Sequence, residues 1–155
     1  MSVYTKINRD EINIHLDKYS LGSAISLTGI SDGIENTNYL LKTDRNEYIF
    51  TIFENIDNTN ISDYLSFMNH LNEKGLLCPK VMKSNNDELF IEIKSKPSAI
   101  IQKLPGKSVI TANNFHCSKI GELLANFHNY GIDFKVNLTN TRDNNWCHKS
   151  FEKLS

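Results

Sequence analysis

Three short apolar runs crowded into the first third of the chain constrain its fold more than any other feature, because they carry the two-residue period of half-buried strands. Residues 24–30 alternate apolar and polar side chains, residues 38–42 (Asn-Tyr-Leu-Leu-Lys) follow, and residues 48–53 (Tyr-Ile-Phe-Thr-Ile-Phe) are rich in aromatic and β-branched types. Only the turn formers Thr43-Asp-Arg-Asn46 separate the second run from the third. That spacing joins antiparallel neighbours and is too short for a parallel crossover. The expectation is an antiparallel meander.

Helical spacing brackets the meander. Ile12, Leu16 and Tyr19 share one face of a segment starting at Asp10, with Gly22 as its stop. Downstream, Asn60 is placed to cap a second helix with Asp63 in its first turn, and Ile61, Tyr64, Leu65, Met68 and Leu71 line one face until Gly75. A helix with that stripe has to pack on the sheet. Further strands are expected at 78–82 and 88–93, on either side of Ser84-Asn-Asn-Asp87, and at 98–102. The total is about five strands with one inserted helix.

Leu104-Pro-Gly-Lys107 breaks the strand pattern, and beyond Thr111 the spacing turns helical, with Ile120, Leu123, Leu124 and Phe127 on one stripe. The chain therefore reads as α+β, with a sheet-bearing lobe over residues 1–104. Residues 105–155 read as a linker and the first helices of a second lobe, the boundary falling near Pro105. After Gly131 the sequence is Asn-rich and nearly aperiodic, apart from Trp146 and an amphipathic turn at Phe151 and Leu154. A terminal helix of a few residues is marginal by itself, so the pattern is expected to be interrupted there rather than finished. The apolar stripe of the preceding helix should then lie partly exposed and promote association.

Composition excludes several function classes. Seventeen basic residues stand against eighteen acidic ones, for a formal charge of -1, so no global field would recruit nucleic acid or an anionic membrane. The chain has no apolar run of membrane-spanning length and no apolar stretch like that of a signal peptide at its start. A cytoplasmic location is expected. Three widely spaced cysteines, 78, 117 and 147, fit reduced thiols better than a disulfide framework. The pairs His116-Cys117 and Cys147-His148 lack the usual spacings of zinc ligands.

One loop carries candidate chemistry. Gly29-Ile-Ser-Asp-Gly-Ile-Glu-Asn-Thr-Asn38 spans the first hairpin, where Gly33 lets backbone approach a phosphate and Asn36, Thr37 and Asn38 offer short polar donors. By turn chemistry alone, an ordinary hairpin tip explains it as well. Val3-Tyr-Thr5, Gly33-Ile-Glu-Asn-Thr-Asn-Tyr39, Ile49-Phe-Thr-Ile-Phe-Glu54, Cys78-Pro79 and Leu104-Pro-Gly-Lys-Ser108 occur in this order. In that order they resemble the amino-terminal part of bacterial homoserine kinases of the aminoglycoside-phosphotransferase-like, protein-kinase-like superfamily. Gly121-Glu-Leu-Leu-Ala-Asn-Phe-His128 is similar to a helix common to that superfamily, and Asn144-Asn-Trp146 to the tryptophan segment that follows it.

The resemblance implies a kinase-like amino-terminal lobe, with nucleotide held between sheet and linker. It implies ATP and L-homoserine as substrates, Mg2+ on the phosphates, and transfer of the γ-phosphoryl group to the homoserine hydroxyl on the way to threonine. Besides residues 33 and 36–38, it places Thr51 on the third strand and Gln102 and Leu104 at the linker beside the nucleotide. Thr51 stands near where protein kinases carry a phosphate-gripping lysine. Lys42 and Lys103 could supply charge instead, although solvated surface positions suit them better. His128 reads as a packing residue, without an acidic partner to orient it as a base.

Phosphoryl transfer also needs a carboxylate to orient the acceptor and ligands for the metal. The superfamily supplies them from a His-x-Asp loop with an Asn a few residues on, and from a later Asp. That complete pattern does not occur in the 155 residues. The expectation is a chain without its catalytic base, inactive alone. A separately encoded carboxy-terminal half or a second copy of the chain would be its partner. A non-catalytic nucleotide-binding or interaction module, or a phosphotransferase for another hydroxyl acceptor, are the alternative readings.

Overall fold

The computed structural model of the chain describes all residues except 1, 2, 57, 137–139, 141 and 155, with the backbone alone at 58 and 59. Helix α1, Arg9–Leu16, opens it. Asn8 caps this helix by accepting from Glu11 N at 2.9 Å, while Glu11 Oε2 accepts from Asn8 N at 2.8 Å. This reciprocal box satisfies two donors that the first turn would otherwise leave open. Tyr19 lies beyond the helix end but is still buried with Ile12 and Leu16.

Strands β1 (Ala24–Ile30), β2 (Thr37–Thr43) and β3 (Glu47–Ile52) form the expected meander, each pair antiparallel. The turn between β2 and β3 is held by Thr43, whose Oγ1 accepts from the backbone N–H groups of Arg45 and Asn46, both at 3.1 Å. Helix α2, Asn58–Glu73, follows, then β4 (Ile91–Ile93) and β5 (Lys96–Gln102). The five strands lie in the order β1-β2-β3-β5-β4.

Two expectations shift. Helix α2 starts at Asn58 rather than after Asn60, which puts Asn60 inside its first turn and leaves that turn without an acidic residue. The run 78–82 is not a strand of its own. Val81 makes one bridge to Ile101, with Met82 N donating to Ile100 O and Gln102 N to Lys80 O, both at 2.8 Å. Strand β4 occupies the same edge of β5 a few residues earlier, so 78–82 receives only its tail.

The period of two divides the sheet's side chains between its faces. Tyr39, Leu41, Tyr48, Phe50, Ile52 and Ile100 join α1 in one core. On the opposite face Phe53, Ala99 and Val81 pack with Ile61 and Leu65 of α2. Register links the rows across strands, Asn38 to Thr51 to Ala99 on the α2 face and Tyr39 to Phe50 to Ile100 on the α1 face.

Helix α3, Asn114–Gly131, begins at a cap formed by Asn113 and His116. It meets α2 near its end, where Phe67 packs edge-on against Phe127 (5.6 Å between centroids) and beside Phe134 (4.9 Å). His70 Nε2 lies 2.8 Å from Tyr130 O and 3.0 Å from Asp133. Ile120, Leu123 and Leu124 of the expected stripe remain exposed, at 63%, 40% and 52%. Helix α4, Asn144–Glu152, is longer than the expected turn at Phe151 and takes in Trp146, because Asp143 caps it by accepting from Trp146 N at 2.9 Å. The aperiodic reading of residues 137–139 and 141 lies outside the described residues. No described helix is long and apolar enough to cross a membrane.

Candidate active site cleft

A cleft of about 720 Å3 opens on the α2 face of the sheet, between β2, β3 and α2. Its floor is apolar, made by Phe53, Ile61, Leu65, Met68 and Ile101, and its rim is polar, with Asn36, Asn38, Thr51 and Asn55. An apolar slot with a few converging polar groups is the form taken by sites for flat, polar-edged ligands. Thr51 Oγ1 donates to Asn38 Oδ1 at 2.8 Å across the β2–β3 pair. With its carbonyl oxygen facing Thr51, Asn38 turns its amide nitrogen to the loop, 3.5 Å from where a Cβ on Gly33 would stand. Gly33 has φ +130°, a conformation side-chain-bearing residues rarely adopt, so the loop has its present path because position 33 is glycine.

At the outer rim Arg142 pairs with Glu35 and lies 5.6 Å from the centre of the Trp146 ring. These two are the charged side chains lining the cleft among the described residues. Both are more than half exposed, so their pairing adds little stability and leaves Arg142 exchangeable.

Behind β2 lies a buried polar cluster. Thr37 sits between two cleft residues in sequence, but strand alternation sends it to the α1 face, where it is fully buried. Its Oγ1 donates to Glu54 Oε1 at 2.6 Å and accepts from the backbone N–H groups of Tyr4 (2.9 Å) and Thr5 (3.1 Å). Glu54 Oε2 also accepts from Thr5 Oγ1 at 3.1 Å and is ion-paired with Lys96, whose ammonium reaches Thr5 Oγ1 at 2.8 Å. Burial pushes the Glu54 carboxyl upward, but hydrogen bonds from Lys96, Thr37 and Thr5 outweigh it and hold the group below its ordinary value.

The structure thus brings Asn36, Asn38 and Thr51 together on the cleft wall with Gly33 at its loop end. It places Thr37 behind that wall. Gln102 is exposed at the end of β5, its Oε1 accepting from Lys80 N at 3.4 Å, and Leu104 is half-buried just beyond. Neither lines the cleft. Lys42 is exposed and Lys103 pairs with Glu47 at 2.8 Å on the surface. His128 is exposed on α3, its ring beside Phe127. A bare His-x-Asp spacing does occur at His15-Leu16-Asp17, but Gly22 stands where the trailing Asn would be. The triplet closes α1, with Leu16 in the core.

The phosphotransferase enzyme family, APH, matches residues 26–149, a span that starts within β1 and takes in β2, β3 and α2, the elements that bound the cleft. The chain belongs to this family. Among its relatives, the homoserine kinase of Methylobacillus flagellatus is 37% identical over 146 residues, covering 94% of this chain and 46% of that protein. The homoserine kinase of Cupriavidus metallidurans is 34% identical over 159 residues, covering all of this chain and 48% of the relative. The chain spans about half the length of the curated relatives it matches. Its backbone also superposes on the crystal structure of spectinomycin phosphotransferase APH(9)-Ia in complex with ADP and spectinomycin, with a TM-score of 0.69. That likeness, at 13% identity over 97% of this chain and 48% of the other, is one of fold. The family's α+β, kinase-like architecture is therefore that of this chain.

The cleft does not suit magnesium by itself. Octahedral Mg2+ is held by carboxylates together with phosphates and water, and the described cleft lining offers one carboxylate, Glu35, already paired with Arg142. Sequence reasoning missed Arg142 because it lies in an Asn-rich stretch with no period. It also missed the Glu54–Lys96 pair, although Glu54 ends the family-like run 49–54 and Thr5 the family-like run 3–5. What the linear reading lacked was that these runs meet in space.

Proposed function

We propose that this chain carries the nucleotide side of an ATP-dependent phosphotransferase whose acceptor is a small hydroxyl compound, with L-homoserine the first candidate. The observation that supports it most is the cleft bounded by the Asn38–Thr51 pair, with an apolar floor on one side and the Gly33 loop on the other. A purine ring suits the floor, while the Gly33 loop and the amides of Asn36 and Asn38 suit the phosphates. Arg142 supplies the positive charge that the third strand, with Thr51 in place of a lysine, does not. Homoserine is favoured by the names of the relatives at 34–37% identity.

Turnover needs a carboxylate placed to orient the acceptor hydroxyl, and the His-x-Asp loop with its trailing Asn that supplies it in the superfamily does not occur in the sequence. The chain by itself is therefore expected to bind ATP without transferring phosphate. Calorimetric titration with ATP, followed by an ADP-release assay with Mg2+ and L-homoserine, tests both parts. Saturable binding without ADP release agrees with the proposal. Absence of binding refutes the nucleotide reading, and ADP release by the purified chain refutes the claim that its catalytic groups lie elsewhere.

A further inference from the structure

We infer that the amino-terminal residues Val3, Tyr4 and Thr5 are positioning residues for the phosphate side of the cleft, holding the Gly33 loop from behind. The inference rests on the nucleotide reading above and names residues that never touch the cleft.

Four contacts tie this short segment to the loop and to its two ends. The Tyr4 hydroxyl donates to Ile34 O at 3.0 Å, one residue past Gly33. Tyr4 N and Thr5 N both donate to Thr37 Oγ1, where the loop enters β2. Val3 packs against Gly29 near the end of β1, so closely that a Cβ at position 29 would come within 2.8 Å of Val3 Cγ2. The loop is thus held at its entry, its middle and its exit by three consecutive residues.

The segment is itself anchored. Thr5 Oγ1 sits between Glu54 and Lys96, and Ile7 N donates to the Tyr39 hydroxyl at 3.1 Å while that hydroxyl donates to Thr5 O at 2.9 Å. Glu54 lies two residues past the end of β3 and directly before Asn55, a rim residue of the cleft, and Thr37 lies between the rim residues Asn36 and Asn38. A shift of the amino-terminal segment therefore reaches the rim through two covalent neighbours, without any contact to ligand. Residues 31–35 are all exposed, so the loop has no burial of its own to fix its path. A Gly-bearing loop presents its backbone to phosphates productively only when that path is fixed beforehand.

The test compares wild type with Tyr4→Phe, Thr5→Val and Thr5→Ser in the full chain. Two readouts are taken: amide hydrogen exchange over residues 30–38, and the Kd for ATP and for adenosine. In Tyr4→Phe the loop amides should exchange faster while those of β3 and β5 do not. ATP should bind about fivefold more weakly, the worth of one hydrogen bond, with adenosine affinity unchanged. Thr5→Val should do the same, and Thr5→Ser, which keeps the hydroxyl, should restore both readouts. Equal weakening of ATP and adenosine would overturn the inference in favour of general destabilisation. Unchanged exchange at 30–38 would overturn it outright. A wild-type chain that binds no ATP removes the nucleotide reading instead, and the exchange comparison then still decides whether the segment holds the loop.

Discussion

Thr37 shows how one residue's role is decided by which face of a strand it occupies. Its neighbours Asn36 and Asn38 reach the cleft, whereas Thr37 satisfies two backbone donors and the Glu54 carboxylate on the far side. Thr37→Val keeps the shape but removes all three hydrogen bonds in a fully buried place. Urea denaturation should show a loss of roughly 2–4 kcal/mol. Tyr19 is the converse case. Its buried hydroxyl has no partner among the described residues, and burial, with the charge of Glu88, pushes its phenol up to about 12. Tyr19→Phe should therefore cost less than about 0.5 kcal/mol or stabilise the chain slightly, measured in the same way.

Glu54 gives the pH dependence at this scale. Its carboxyl is held below the ordinary 4.5, so the folded state favours its charged form and binds fewer protons than the unfolded chain. Stability from the group is complete above the unfolded value and is lost as pH falls from about 4.5 through the lower folded value. A urea titration in steps down from pH 6 should show that loss in wild type. In Glu54→Gln this part of the curve should flatten, with Lys96 left as the uncompensated partner at every pH.

At the scale of elements, the meander was legible because alternation and a short turn are local signals that burial on both faces reinforces. The edge of the sheet was less so. Residues 78–82 and 88–93 both look like strands, yet they share one edge of β5, and β4 takes most of it. Competition for an edge is a property of the assembled sheet and leaves no mark in either run. Helix starts moved for a similar reason: Asn60 has the chemistry of a cap, but α2 already starts at Asn58, while at α4 the cap Asp143 extends the helix back over Trp146. At α1 the capping box should be measurable directly. Asn8→Ala is expected to lower stability by about 1 kcal/mol by thermal or urea denaturation.

For the whole molecule, the candidate cleft was legible in part. Gly33, Asn36, Asn38 and Thr51 were marked by turn chemistry and resemblance, and they converge. Gln102 and Leu104, marked by resemblance alone, lie off this cleft. The supports behind the wall, Tyr4, Thr5, Glu54 and Lys96, come from three distant parts of the chain, so nothing in linear spacing joins them. The exposed stripe of α3 has a consequence at this scale too. Ile120, Leu123 and Leu124 form an apolar face with no cover among the described residues, and concentration-dependent self-association should follow. Leu124→Lys should shift sedimentation toward monomer.

The central claim is that the cleft between the β2–β3 pair and α2 receives nucleotide. Titrating ATP into isotopically labelled protein while following backbone amide resonances tests it most directly. Saturable shifts should concentrate at residues 33–38, at Thr51 and along Ile61, Leu65 and Met68, with α1 and β4 unmoved. Saturable shifts centred elsewhere, or none at millimolar ATP, would contradict it.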